Sequence, residues 1–263
     1  MILTWIILAG LVGGLLSVLF AALLTLKTSS SWVSTLVSFA IGALLGAAFI
    51  NTLPEALSLA EDSRSITLIV LLGILAFFIL EKLVLWRHCH LDECEAHDIN
   101  QNSIMKNTQH DHGRSGIMIT LGDIFHNFVD GVLIAAAFMV DVQTGIVTSI
   151  AIIAHEIPQE AGDFIILLNS GYSRTQALLL NLFASAATLV GGVLAYFMLN
   201  QLNYLIIPML GIATASMIYV AMADLIPSLH KRPAISATLQ QVVLILMGIG
   251  SIWLIEVLFS HHH

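Results

Sequence analysis

Eight stretches of this chain are apolar over the ~20 residues needed to cross the hydrocarbon core of a bilayer. They run roughly over residues 2 to 26, 32 to 53, 66 to 86, 116 to 140, 144 to 168, 175 to 199, 204 to 229 and 239 to 259. Each is expected as a helix, so the fold class is an all-α integral membrane protein with eight transmembrane helices. Hydrophobic residues make up 58% of the chain and charged ones 10%, which excludes an ordinary soluble domain. The opening "MILTWIILAG" has no basic leader, and its apolar run exceeds that of a signal peptide. It is read as a retained span. The terminal "HHH", 261–263, is read as the remnant of a purification tag.

Lys and Arg accumulate in cytoplasmic loops, so their placement gives an orientation. Lys27 follows span one; Lys82, Arg87, Lys106 and Arg114 lie in or beside the loop after span three; Arg174 follows span five; Lys231 and Arg232 follow span seven. Only Arg64 lies in an even-numbered loop. The expected protein is therefore multi-pass in the cell membrane, with odd loops in the cytoplasm and both termini extracytoplasmic.

Three pairs of matches recur in the same order in both halves. "LVGGLL", Leu11 to Leu16, matches "LVGGVL", Leu189 to Leu194, at an offset of 178 residues. "FINTLPEAL" matches "MADLIPSLH" at an offset of 173, pairing Asn51 with Asp224 and Pro54 with Pro227. "ILEKLV" with Glu81 matches "LIEVLF" with Glu256 at an offset of 175. With the orientation above, the two three-helix units are inverted, an organisation typical of transporters. The expected arrangement is 3+2+3. Residues 1–86 form the first repeat, 87–115 a cytoplasmic His-rich loop, 116–169 the core of spans four and five, and 170–260 the inverted repeat.

The two unpaired spans carry the polar residues. On span four, Asp123, His126, Asn127 and Asp130 form one stripe at helical spacing. On span five, "AHEIPQEAGD" sets His155 one turn from Gln159, with Glu156, Glu160 and Asp163 on the adjoining strip. A charge at a helix centre costs at least ~2.5 to 3.5 kcal/mol on insertion scales. Helix-to-helix hydrogen bonds, or carboxyl groups held neutral, would offset part of this. Spans four to six contain no Lys, and their only Arg, Arg174, lies at an edge. A divalent cation supplies the missing charge, and a mixture of His, Asp, Glu, Asn and Gln suits a borderline metal such as zinc or ferrous iron. Pro158 removes the donor that would bond the carbonyl of Ala154, which leaves that oxygen for a ligand or merely bends the helix.

"HNFVDG" followed by "HEIPQEAGDF" resembles the paired signature of the Zrt/Irt-like (ZIP) metal transporters, in the branch with HNxxDG and HExPHExGD. "TLPEAL", "NLFASAATLVGG", "YVAMADLIP" and the His-rich loop are similar to the same family, and the resemblance covers all eight spans. It implies a first metal site on His126, Asp130, His155 and the residue at 159. It implies a second, adjacent site on Asn127, Glu156 and a bridging Asp130. The branch usually has His where this chain has Gln159, a neutral oxygen donor that holds zinc more weakly than imidazole. Glu160 agrees with the pattern, and Asp163 is assigned to the path or to a hydrogen bond behind the ligands.

Asp123, Glu160 and Asp163, with Glu55 near the outer end of span two and Asp224 and His230 near the inner end of span seven, are further candidates for an ion path; solvated capping is the alternative for those at helix ends. The loop after span three holds His88, Cys89, His90, Cys94 and His97, which suit transient zinc binding, sensing or hand-off; a solvated linker is the alternative. A reducing cytosol argues against a disulfide there.

The resemblance implies transport of divalent transition metal ions, zinc foremost, into the cytoplasm, with the ion as cargo. The alternatives are an intramembrane metalloenzyme and an ion channel. "HEIPQ" is one residue short of the HExxH motif of zinc peptidases, but Gln159 replaces its second His and Pro158 interrupts its helix. The expected partners are metal ions and the lipid bilayer, with no nucleic acid; homodimerisation is left open.

Overall fold

The structure is a computed structural model that describes residues 1–27, 31–88, 114–229 and 235–260. Every regular element among them is helical. In chain order these are α1 (Ile2–Leu11), α2 (Ser17–Lys27), α3 (Ser31–Gly46), α4 (Leu53–Leu59), α5 (Ser63–His88), α6 (Arg114–Val140), α7 (Val142–Asn169), α8 (Arg174–Gln201), α9 (Ile206–Tyr219), α10 (Ile226–Leu229) and α11 (Ile235–Ser260). Three π-helical turns join pairs of these helices without a break: Val12–Leu16 between α1 and α2, Ala47–Thr52 between α3 and α4, and Val220–Leu225 between α9 and α10. A short 3₁₀ turn, Asn203–Leu205, precedes α9.

Seven helical segments among the described residues are long and apolar enough to cross a membrane. They correspond to every expected span except the fifth. That segment is α7, whose 28 residues give a length of roughly 42 Å. Glu156, Glu160 and Asp163 hold its hydropathy below that of the others. The second span also runs further than the apolar run suggests, to Leu59. Pro54 does not end it, because this residue falls in the first turn of α4 just after the π turn, where a missing N–H is tolerated.

Large apolar side chains such as Leu71, Phe183, Phe197, Leu246 and Trp253 lie on the outside, while Asp123, Asn127, Asp130, His155, Glu156 and Glu160 are buried. A water-soluble domain would not expose that much contiguous apolar surface. The protein is a multi-pass membrane protein.

The packing brings the polar helices together at the centre. A single residue, Asp141, links α6 to α7. Its side chain caps α7 by accepting from the Thr144 N–H at 2.9 Å and the Thr144 hydroxyl at 2.6 Å. So short a link makes the two helices antiparallel neighbours. The turn from α7 to α8 passes through Gly171 at φ +93°, where a side chain would be strained. A capping box between Ser173 and Gln176 then starts α8.

α8 lies closest to α6. A Cβ added at Gly131 would fall 2.0 Å from the Thr188 carbonyl oxygen, and one at Gly191 2.2 Å from that of Phe128, so only glycine permits the approach. α11 packs along α3 and α5 along α9. Asn51 donates to Glu256 at 2.9 Å, and Tyr219 donates to Glu81. Two half-buried acids, Glu256 of α11 and Glu81 of α5, thus meet polar partners on the segments they pack against.

Candidate metal centre

Four side chains converge where α6 crosses α7: His126, Asp130, His155 and Glu156. His126 and Asp130 are one turn apart on α6, and His155 and Glu156 are adjacent on α7. The Nε2 atoms of the two histidines lie 3.2 Å apart. His126 Nε2 is 3.6 Å from Asp130 Oδ2 and 3.4 Å from Glu156 Oε1. His155 Nε2 is 3.3 Å from Asp130 Oδ2 and 3.6 Å from Glu156 Oε1. Four donors held at ~2.0–2.1 Å from a tetrahedral zinc ion stand about 3.3–3.4 Å from one another. The observed separations bracket that value.

The electrostatics point the same way. Asp130, His155 and Glu156 are almost wholly buried, and His126 is a quarter exposed, so the cluster opens on its side. Asp130 Oδ2 and both carboxylate oxygens of Glu156 accept no hydrogen bond. Buried carboxylate oxygens without partners are costly, and residues 115–173 include no Lys or Arg to neutralise them. The His155 Nδ1 atom lies 3.3 Å from the Ala151 carbonyl oxygen. A carbonyl can only accept, so Nδ1 carries the proton and Nε2 presents its lone pair to the cluster. A cation among the four donors would satisfy every one of them.

Asn127, next to this cluster in sequence, is bonded elsewhere. Its amide nitrogen donates to the Asp123 carboxylate at 2.8 Å and to the Asp123 carbonyl at 3.1 Å. Its amide oxygen accepts from the Thr188 hydroxyl of α8 at 2.8 Å. Gln159 is half-buried, one turn beyond His155. Pro158 lies inside the continuous α7. Asp123 and Glu160 are buried and Asp163 half-buried, all further along the same two helices. Glu55 is half-buried on α4, with the charges of Asp141 and Glu256 nearby. Asp224 falls in the second-half π turn. His88 ends α5. Cys89, His90, Cys94, His97 and His230 lie outside the described residues.

Thr188 and Asn181 of α8 were not singled out from sequence, although both hold the polar helices. Asn181 donates to the Glu160 carbonyl oxygen at 3.1 Å. The signal for Thr188 was its place one turn before Gly191 and Gly192, at the close approach to α6.

Imidazole and carboxylate donors gathered among the helices of a multi-pass membrane protein are consistent with an intramembrane metal site. The chain belongs to the ZIP zinc transporter family, whose model matches residues 2–256. This is a family of transporters, not enzymes. Similar proteins include zinc transporter ZIP4 of Homo sapiens, 45% identical over 114 residues that cover 43% of this chain and 18% of that protein. Zinc transporter ZIP13 of Pongo abelii is 29% identical over 250 residues, 88% of this chain and 68% of the relative. Metal cation symporter ZIP14 of Mus musculus is 40% identical over 121 residues, 46% of this chain and 24% of the relative. The matched region thus spans less than a quarter of ZIP4 and of ZIP14.

Proposed function

We propose that this chain carries divalent transition metal ions, zinc foremost, across the cell membrane into the cytoplasm, by way of an ion held between α6 and α7. The observation that carries this reading is the set of four donor atoms at near-tetrahedral separations, with partnerless carboxylate oxygens among them. His126, Asp130 and His155 bind the ion, and Glu156 completes the set. Gln159 stands one turn from His155 and approaches the ion as a weak neutral donor. A second ion on Asn127, Glu156 and a bridging Asp130 is compatible with the Thr188 bond, because an amide oxygen keeps a second lone pair. Relatives named as zinc transporters and as a metal cation symporter favour this cargo.

In this reading residues 1–86 and 170–260 are inverted repeats around the core of residues 116–169, and all eight helical segments cross the membrane. The packing supports it. The π turns Ala47–Thr52 and Val220–Leu225 stand in register at the offset of 173 residues already seen for Asn51 and Asp224. Gly248 of α11 closes on Gly42 of α3, and Gly73 of α5 closes on Ala215 of α9. These pairs exchange under the same offsets, as two copies of one contact should. Alternating access then comes from α6, α7 and α8 moving with the first span against α3, α5, α9 and α11. The basic bias of the odd loops orients the molecule with both termini outside. The loop residues His88, Cys89, His90, Cys94 and His97 receive or sense the ion on the cytoplasmic side.

The test is uptake by the purified chain in proteoliposomes across zinc, cadmium, iron and manganese. Saturable, temperature-dependent zinc uptake that His155→Ala removes is expected. Uptake equal to that of protein-free vesicles would overturn the proposal.

A further inference from the structure

Asn127 is wholly buried on α6, and each polar atom of its side chain has a partner. The main-chain carbonyl of Asp123 can only accept, so the atom 3.1 Å from it is the amide nitrogen of Asn127. The same nitrogen donates to the Asp123 carboxylate at 2.8 Å. The amide oxygen therefore faces Thr188 of α8, and because that oxygen can only accept, the Thr188 hydroxyl is the donor at 2.8 Å. Turned the other way, the oxygen would meet the Asp123 carbonyl lone pair to lone pair. The hand of this amide is fixed from both sides.

Thr188 uses its hydroxyl differently from Thr120 and Thr214. Those two buried residues donate to the carbonyl one turn back in their own helices, that of Gly116 and of Leu210, the usual outlet for a helical threonine. Thr188 has one hydroxyl hydrogen and directs it across the helix interface. The close approach at Gly131 and Gly191 brings it within reach. The residue that receives it is flanked on α6 by His126 and Asp130, two members of the four-donor cluster.

We propose that Thr188 is a positioning residue for metal binding: its hydroxyl fixes the rotation of the Asn127 amide, and so the direction in which the remaining lone pair of Oδ1 is offered to an ion. This rests on the reading of a second ion on Asn127, Glu156 and a bridging Asp130, and adds to it a residue on a third helix that does not touch the ion. Partners that orient a ligand in this way contribute about 10–100-fold to metal affinity. α6 and α8 belong to one moving unit in the transport reading, so the bond keeps the amide set while the unit shifts. With valine at 188 the oxygen loses its donor, and the amide is held from the Asp123 side alone.

The experiment is a calorimetric titration of Zn²⁺ into the purified full chain in nanodiscs, with the loop cysteines and histidines substituted and residues 261–263 removed. Two bound equivalents are expected in this parent. Asn127→Ala should remove one, and His155→Ala should weaken the other. Thr188→Val should weaken the equivalent that depends on Asn127 by at least about tenfold and leave the other in place, and Thr188→Ser should restore it. A bond that merely braced the bundle would lower the thermal midpoint without singling out one equivalent. Thr188→Ala is the second variant if valine does not give a monodisperse protein. If the valine and alanine variants bind both ions as the parent does, or serine fails to restore what they lose, the positioning role is overturned while the second ion stands. If Asn127→Ala keeps both equivalents, the second-ion reading falls and this proposal with it.

Discussion

His155 Nε2 lies 3.3 Å from Asp130 Oδ2, across the interface between α7 and α6. The chain turns back at Asp141, about three helical turns after Asp130 and about four before His155. Antiparallel helices so joined bring these two side chains to nearly the same depth, and the Asp130 oxygen accepts no hydrogen bond there. The contact is an ion pair only if the imidazole is charged. With a metal ion between them, both atoms act as donors.

Replacing Asp130 with Ala should abolish zinc uptake, with apparent affinity falling by at least about 10–100-fold, because a central charged donor is lost. His155→Ala should do nearly the same. Removing a buried charge relieves insertion cost, so the amount of protein in the membrane should hold. Uptake kinetics alongside surface expression check both statements.

Gln159→His adds an imidazole one turn from His155. The half-saturating zinc concentration should fall, because nitrogen donors suit zinc better than an amide oxygen. The maximal rate should fall as well, since a carrier must release what it binds. Selectivity for zinc over manganese should rise. Unchanged half-saturation would mean that the side chain at 159 does not touch the transported ion.

Membrane-impermeant thiol reagents should leave Cys89 and Cys94 unlabelled in intact cells and label them once the membrane is opened. This follows from the placement of eight of the nine basic residues in odd loops. Strong labelling of either cysteine in intact cells would reverse the orientation.

Gly131→Val should loosen the bundle without touching any donor. A Cβ there meets the Thr188 carbonyl oxygen at 2.0 Å, so α8 must retreat and weaken the bond from Thr188 to Asn127. Overpacking of this kind costs about 1–3 kcal/mol. A lower thermal midpoint for the purified protein is expected, and an unchanged midpoint would show that α6 and α8 do not pack so closely.

The spans and the donor stripe were legible because helical period and hydropathy are local properties. His126 and Asp130 are one turn apart whatever surrounds them, and the apolar flanks of "AHEIPQEAGD" mark α7 as a long helix despite its acids. The partners of the buried polar groups were not legible. That Glu256 meets Asn51, Glu81 meets Tyr219 and Asn127 meets Thr188 depends on which helices touch, and at what height. The apolar run of the second span stops near residue 53, whereas its helix continues to Leu59, because Pro54 falls just after the π turn in the first turn of α4. Three matched segments suggested a repeat, whereas the packing of α11 on α3 and of α5 on α9 depends on the fold.

Zinc K-edge absorption on the purified chain, loaded with one equivalent of zinc, tests the four-donor site most directly. Two imidazole nitrogens and two oxygens at about 2.0–2.1 Å are expected, with one imidazole lost in His126→Ala and one in His155→Ala. A shell without imidazole, or one that neither substitution alters, would contradict the binding of the ion between α6 and α7.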